Sequence, residues 1–234
     1  IDAINYIEWC EFLALSEKDK YPFRPEKLEN ISTNQDETKP YISFDGNTAL
    51  FVRKVKQRSK NEESFYQQTS FITKDVLCQA FLEFNEDLGI WEFDEGFPIN
   101  EFENVVNKPT KVSLTADNKQ MYFSYLDKAS GKYQIYCSHS VGGVWSKPEN
   151  IGNIVNDATA NLVDPFITAD GNTLYFSSDK KGGQGGYDIW VTHKSKNSSW
   201  LKPTNLGKRI NTPRNETSPY LHADNNSFYF SSNG

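Results

Sequence analysis

Three histidines, four regularly placed aspartates and one glycine-rich loop are the residues of this chain whose types could do chemistry. His139, His193 and His222 could ligate a metal through an imidazole nitrogen. His139 and His193 hold equivalent places in a repeated unit, about one unit apart and too far to share an ion at about 2 Å from each nitrogen. A structural role is expected for them, and no metal site. Asp45, Asp117, Asp170 and Asp224 could serve as general acids or calcium ligands. Each lies beside Gly46, Asn118, Gly171 or Asn225. A turn aspartate that accepts backbone N–H bonds explains them without a ligand.

The loop carries Gly182, Gly183, Gly185 and Gly186 around Gln184. A phosphate cradle would end in Gly-Lys-Ser/Thr and open a helix, whereas this loop leads into a strand-like run, Tyr187 to His193. It is expected to make a tight connection. Asp188 follows, but Gln134 holds the equivalent place one unit earlier, so no ionic role repeats there. No Gly-x-Ser-x-Gly elbow is present, so a peptidase nucleophile of that kind is missing. No catalytic residue, metal or cofactor is expected.

These residues need elements to position them, and the elements repeat. The turn aspartates are spaced by 72, 53 and 54 residues. Pro40, Pro165 and Pro219 each precede one by five residues, with Val112 in the second copy. Trp145-Ser-Lys-Pro-Glu-Asn-Ile-Gly152 matches Trp200-Leu-Lys-Pro-Thr-Asn-Leu-Gly207 at every fixed position. Leu174, Phe176, Ile189 and Val191 are apolar at period two, and Tyr175 and Trp190 make the opposite faces apolar too, as in a sheet covered on both sides. Asp164 to Gly207 therefore reads as four short strands, and repetition at this period points to a propeller.

Those residues resemble the TolB-like β-propeller repeat, in the form found in periplasmic PorE-type and other OmpA-family proteins associated with type IX secretion and gliding. The resemblance spans roughly residues 28–234. It implies a tethered periplasmic scaffold of the cell envelope that is not an enzyme. The implied partner is an outer-membrane barrel protein of the PorP/SprF type, with peptidoglycan held by an OmpA-like domain that these residues do not include. A carbohydrate-active enzyme or peptidase with its active site elsewhere is the alternative. The sialidase motif Ser/Thr-x-Asp-x-Gly-x-Thr-Trp is not matched, and Arg24, Arg53, Arg58, Arg209 and Arg214 are too scattered to form its arginine cluster.

Composition agrees with a β-rich chain: 37% hydrophobic and 14% aromatic residues can fill a core. A net charge of −6 disfavours nucleic acid as a partner. Cys10, Cys78 and Cys137 fit neither a zinc site nor a disulfide framework. Cys137 is expected to be a small buried apolar residue, with a Cys78–Cys137 disulfide the lesser alternative.

In chain order, residues 1–20 read as the last helix of a helical, tetratricopeptide-like domain, and residues 21–27 as a proline-stiffened linker. The propeller follows as about three and a half blades, the fourth cut after its second strand, so the chain reads as a fragment. Blade 1 is swollen, and Glu62 to Cys78 have no counterpart in the other blades. The insertion Lys54–Cys78 is either a tolerated surface loop or a partner-contact arm. In the second reading Arg58, Lys60, Phe65, Tyr66 and Phe71 make the contact. Trp91 is aligned with Trp145 and Trp200.

Overall fold

The computed structural model describes residues 27–58, 71–102, 105–106, 108–222 and 224–234. The expected N-terminal helix, nearly all of the linker, and Lys60, Phe65 and Tyr66 lie outside the described residues.

The fold is all-β. Blade 1 holds β1 (Glu37–Ile42), β2 (Thr48–Arg58), β3 (Phe71–Asn85), β4 (Ile90–Phe93) and β5 (Phe97–Pro98). Blade 2 holds β6 (Val112–Leu114), β7 (Gln120–Leu126), β8 (Tyr133–Val141), β9 (Val144–Trp145) and β10 (Glu149–Asn150). Blade 3 holds β11 (Leu162–Ile167), β12 (Thr173–Ser178), β13 (Asp188–His193) and β14 (Thr204–Asn205), and β15 (Glu216–Leu221) pairs with β16 (Phe228–Ser232) as the start of a fourth. Each blade is an antiparallel meander, with the short last strand (β5, β10 or β14) laid on the middle of the third. Alternate connections therefore fall at opposite ends. The aspartate turns share one end with the hairpin after the third strand. The glycine loop and its equivalents occupy the other.

Period-two alternation supplies both interfaces of each blade. Leu50 and Val52 pack toward blade 2 against Met121, Phe123 and Trp145, while Ala49 and Phe51 face the other way with Val76 and Cys78. Tyr122, Ile135 and Cys137 meet Leu174, Phe176 and Trp190 between blades 2 and 3. Toward the fourth blade, Phe166 and Tyr175 lie 5.1 Å, centroid to centroid, from Tyr220 and Phe228 respectively.

The repeated prolines leave a mark on the backbone. Lys39, Asp164 and Ser218, each just before one, have φ of 57°, 50° and 55°, and the first strand shifts register at each. Proline has no N–H to give to the ladder, which suits it to this break in the pairing. In blade 2, where Val112 replaces proline, the same step is present: the Thr110 N–H reaches Ser124 O, one residue off the Val112↔Phe123 register.

Two expectations about blade 1 are corrected. Residues up to Cys78 do have a counterpart: Val76 to Ala80 lie in the third strand, with Phe51 opposite Cys78 as Phe123 is opposite Tyr136. The extra residues lengthen β2 and β3 into a two-stranded ribbon, whose ladder continues from Arg53↔Val76 to Arg58↔Phe71. Trp91 is not the equivalent of Trp145. Phe93, opposite Leu82, holds that place, as Trp145 lies opposite Ser140 and Trp200 bridges Lys194.

Candidate functional site

The turn aspartates form one repeated device. Asp45, Asp117 and Asp170 each accept a hydroxyl proton from the residue two before them: Ser43 at 2.5 Å, Thr115 at 2.6 Å and Thr168 at 2.6 Å. Each also accepts the N–H of the residue two after it, from Asn47, Lys119 and Asn172. The same hydroxyls then accept the N–H that reopens the ladder, from Thr48, Gln120 and Thr173. Foremost through those hydroxyl bonds, all three carboxyls are held below the usual range. At Asp224 the place of the hydroxyl is taken by His222, 3.2 Å away, and the Asn226 N–H is the leading cause of its lowered pKa. Among the described residues, no group of three or more His, Cys, Asp or Glu could hold a metal.

Adjacent turns touch. Asn118 donates to Asp45 Oδ2 at 2.9 Å, and Gly171 backs onto Thr115 of the preceding blade, where an added Cβ would stand 3.1 Å from a methyl. Gly171 also has φ +71°, so glycine fits on both counts.

Close approach explains the glycine loop. A side chain on Gly183 would collide with the Asp188 carboxylate, and one on Gly185 with the carbonyls of Thr212 and Arg214. Gly186 donates to Arg214 O at 2.7 Å. Asp188 is 1% exposed and accepts from the Gln184 N–H and from Asn205 at 3.1 Å. Gln134 at the equivalent place donates to the carbonyls of Tyr133, Asp157 and Ala160. Both positions anchor a connection, one as acceptor and the other as donor.

Sequence reasoning missed the inter-blade latch. Asn156, in the connection after blade 2, accepts from Ile135 N–H at 2.9 Å and donates to Ile135 O at 2.8 Å. Asn211 does the same to Ile189 at 2.7 and 3.0 Å. Both are buried. The signal was present: each asparagine lies four residues after the glycine that ends the matched tryptophan segments.

The histidines are not brought together. His193 Nδ1 lies 3.0 Å from Thr173 Oγ1, and His139 Nε2 lies 3.8 Å from Cys137 Sγ. Cys78 and Cys137 are free and buried, and burial pushes both thiols up to about 11. Of the described contact-arm residues, Arg58 and Phe71 close the ribbon's ladder, and Phe71 is exposed.

Neither a protein-family profile nor a curated protein sequence matches the chain. Among solved structures it is similar to TolB from Acinetobacter baumannii, at 17% identity over 86% of this chain and 39% of that one, TM-score 0.48. It is similar to a gluconolactonase from Xanthomonas campestris, at 11% identity over 83% and 53%, TM-score 0.47. A third is the β-propeller domain of the Trilobed protease from Pyrococcus furiosus, at 10% identity over 81% and 46%, TM-score 0.44. The chain has an all-β, β-propeller fold built of antiparallel blades. It spans about half or less of the length of these structures, and at such identities the likeness concerns the fold alone. The expectation that the chain is not an enzyme is corrected. A gluconolactonase and a protease domain stand beside TolB among the similar structures, so membership of this fold does not class a chain as a non-enzyme.

Proposed function

We propose that this propeller is the binding platform of a periplasmic envelope scaffold of the PorE type, working with the type IX secretion and gliding apparatus. In this reading the propeller engages an outer-membrane barrel protein of the PorP/SprF type, and an OmpA-like domain of the same protein holds peptidoglycan. The observation that carries it is the ribbon of blade 1. Blades 2 and 3 turn back close to their own sheet after the second strand, whereas β2 and β3 keep pairing past the core and present Lys56 and the exposed Phe71 and Ile72, with Lys54 at the base paired to Asp36. Charges on such a projection speed encounter, and apolar side chains anchor the docked state. Among the described residues, no helix is long and apolar enough to cross a membrane.

The test replaces residues 57–72 with a Gly-Asn turn. The shortened protein is expected to keep its cooperative melt and its periplasmic fractionation while losing co-purification with the barrel protein. Unchanged co-purification at the same salt concentration would remove the ribbon from the contact, and recovery of the intact protein in the cytoplasmic fraction would overturn the whole reading.

A further inference from the structure

The ribbon of blade 1 has two edges, and they are unequal. Successive residues of a strand turn their main-chain groups to opposite sides. In β3 the odd-numbered residues turn away from β2: Leu77 O accepts the Ile99 N–H at 3.0 Å, and Phe81 O accepts the Asp94 N–H at 2.9 Å. Phe71, Thr73 and Asp75 therefore present their N–H and C=O groups outward. β5 pairs with β3 at Cys78 and Gln79, and among the described residues no strand lies beside Phe71 to Val76 on that side.

Blades 2 and 3 close the same position. Leu77 lies opposite Val52 as Ile135 lies opposite Ser124 and Ile189 opposite Ser177, so Asp75 corresponds to Tyr133 and Tyr187. Tyr133 and Tyr187 donate their N–H groups to Asn161 Oδ1 at 3.2 Å and Asn215 Oδ1 at 2.9 Å. Those asparagines lie four residues before Pro165 and Pro219. Four residues before Val112 stands Lys108, whose side chain has no acceptor. Among the described residues the Asp75 N–H meets no partner.

The β2 edge is guarded instead. Asp36 O takes the Lys54 N–H at 3.0 Å, and Lys56 and Arg58 are the next residues to turn outward there. Lysine along an edge deters strand pairing. The open stretch of β3 is Phe71-Ile72-Thr73, aromatic and β-branched, with Phe71 65% and Ile72 52% exposed on opposite faces.

We propose that β3 accepts an extended segment of the partner as an added strand along Phe71 to Asp75. This rests on the reading of the ribbon as the contact and names what the contact takes. A row of outward N–H and C=O groups is matched in step only by an extended backbone, whereas a docked helix would leave the row unpaired. The added strand would lay side chains beside Phe71 and Thr73 on one face and Ile72 on the other, so β-branched or aromatic residues at consecutive positions suit it. Lys54, Lys56, Arg58 and Lys74 outnumber Asp75 along the ribbon, which favours acidic ends on the segment.

The experiment titrates the whole chain by calorimetry with the acetylated, amidated peptide Asp-Val-Tyr-Val-Thr-Val-Glu. The control has the same side chains and is N-methylated at its tyrosine and second valine, which removes hydrogen-bond donors on both sides of the strand. The control is expected to bind roughly tenfold or more weakly. Thr73→Pro deletes an outward N–H and spares the β2–β3 ladder, a place where an edge strand tolerates proline. It is expected to lose the parent peptide while Thr73→Ala keeps it. Equal binding of the methylated peptide, or unchanged binding by a folded Thr73→Pro, would overturn strand addition. A dimer of the parent chain that Thr73→Pro dissociates would also overturn it, giving the edge to a second copy. The two readings fail separately. Loss of the barrel protein on shortening residues 57–72, with Thr73→Pro still retaining it, would keep the ribbon as the contact and sink the added strand alone.

Discussion

Blade 3 and blade 1 share a strand order and an aspartate turn, and they differ in where their residues go. In blade 3 nearly every side chain of β12 and β13 is buried or half-buried, and the loop between them folds down onto Thr212 to Asn215 of the next blade. In blade 1 both the second connection and the third leave the sheet, carrying Phe71 and Ile72 at one end and Phe84 and Trp91 at the other. The difference teaches that the repeat is satisfied by about fifty residues. What exceeds that number is free to project, and surface apolar groups concentrate there.

Substitution can break this comparison, most forcefully at Trp145. Trp145 is 6% exposed and donates its indole N–H to Gln79 Oε1 of blade 1 at 2.6 Å. Trp145→Ala should cost about 3–5 kcal/mol in chemical denaturation, the usual scale for emptying a large buried aromatic site. A loss under 1 kcal/mol would show that blades 1 and 2 are not held at this contact. Next comes the latch. Asn211→Ala strands the Ile189 N–H in a buried setting, while Ile189 O keeps the Leu206 N–H, and should cost about 2 kcal/mol. The same denaturation curve checks it, and Asn211→Asp should recover only the accepting half.

The aspartate turns should respond less. Asp170→Ala removes a capping-type acceptor and should cost about 1 kcal/mol. The pH dependence follows from the lowered carboxyls of Asp45, Asp117 and Asp170. A group whose pKa is depressed on folding gives its full contribution above its unfolded value, about 3.9 for aspartate, and loses it as pH falls through the folded value. The melting temperature should therefore hold between about pH 5 and 7 and drop below about pH 4. The triple Asp→Asn variant should show a shallower drop, and an unchanged acid profile would remove these turns from the account. Smallest is Trp91→Ala, expected within about 0.5 kcal/mol of the parent because the ring is largely exposed. A larger loss would mean that the blade 1 hairpin is structural after all.

The repeat was legible because its turns and blade ends depend on local chemistry. Asp-Gly, the proline five residues earlier and the Trp-x-x-Pro-x-Asn segments each fix backbone within a few residues, so they survive as spacing. The ribbon was legible only as an excess of length. No local rule says whether extra residues form a loop or continue a ladder, and the apolar alternation that marks a half-buried strand fades once both faces meet water. Trp91 misled because residue type outweighed register: Phe93 fills the position that tryptophan fills elsewhere. The latch asparagines went unnoticed because their partners lie 21 and 22 residues away and are backbone groups, which leave no trace in side-chain pattern.

The latch also imposes a timetable on the growing chain. The Ile135 and Ile189 N–H groups donate to Asn156 and Asn211, 21 and 22 residues downstream, while their carbonyls are also reached by the Ile151 and Leu206 N–H groups. At a synthesis rate of about 5–20 residues per second, each third strand waits roughly 1–4 seconds before its own clamp exists. During that interval the third strands of blades 2 and 3 each stand with an open N–H. Completion therefore travels down the polypeptide as a lagging front, less than half a repeat late, and any partner that captures nascent segments meets its target just ahead of that front.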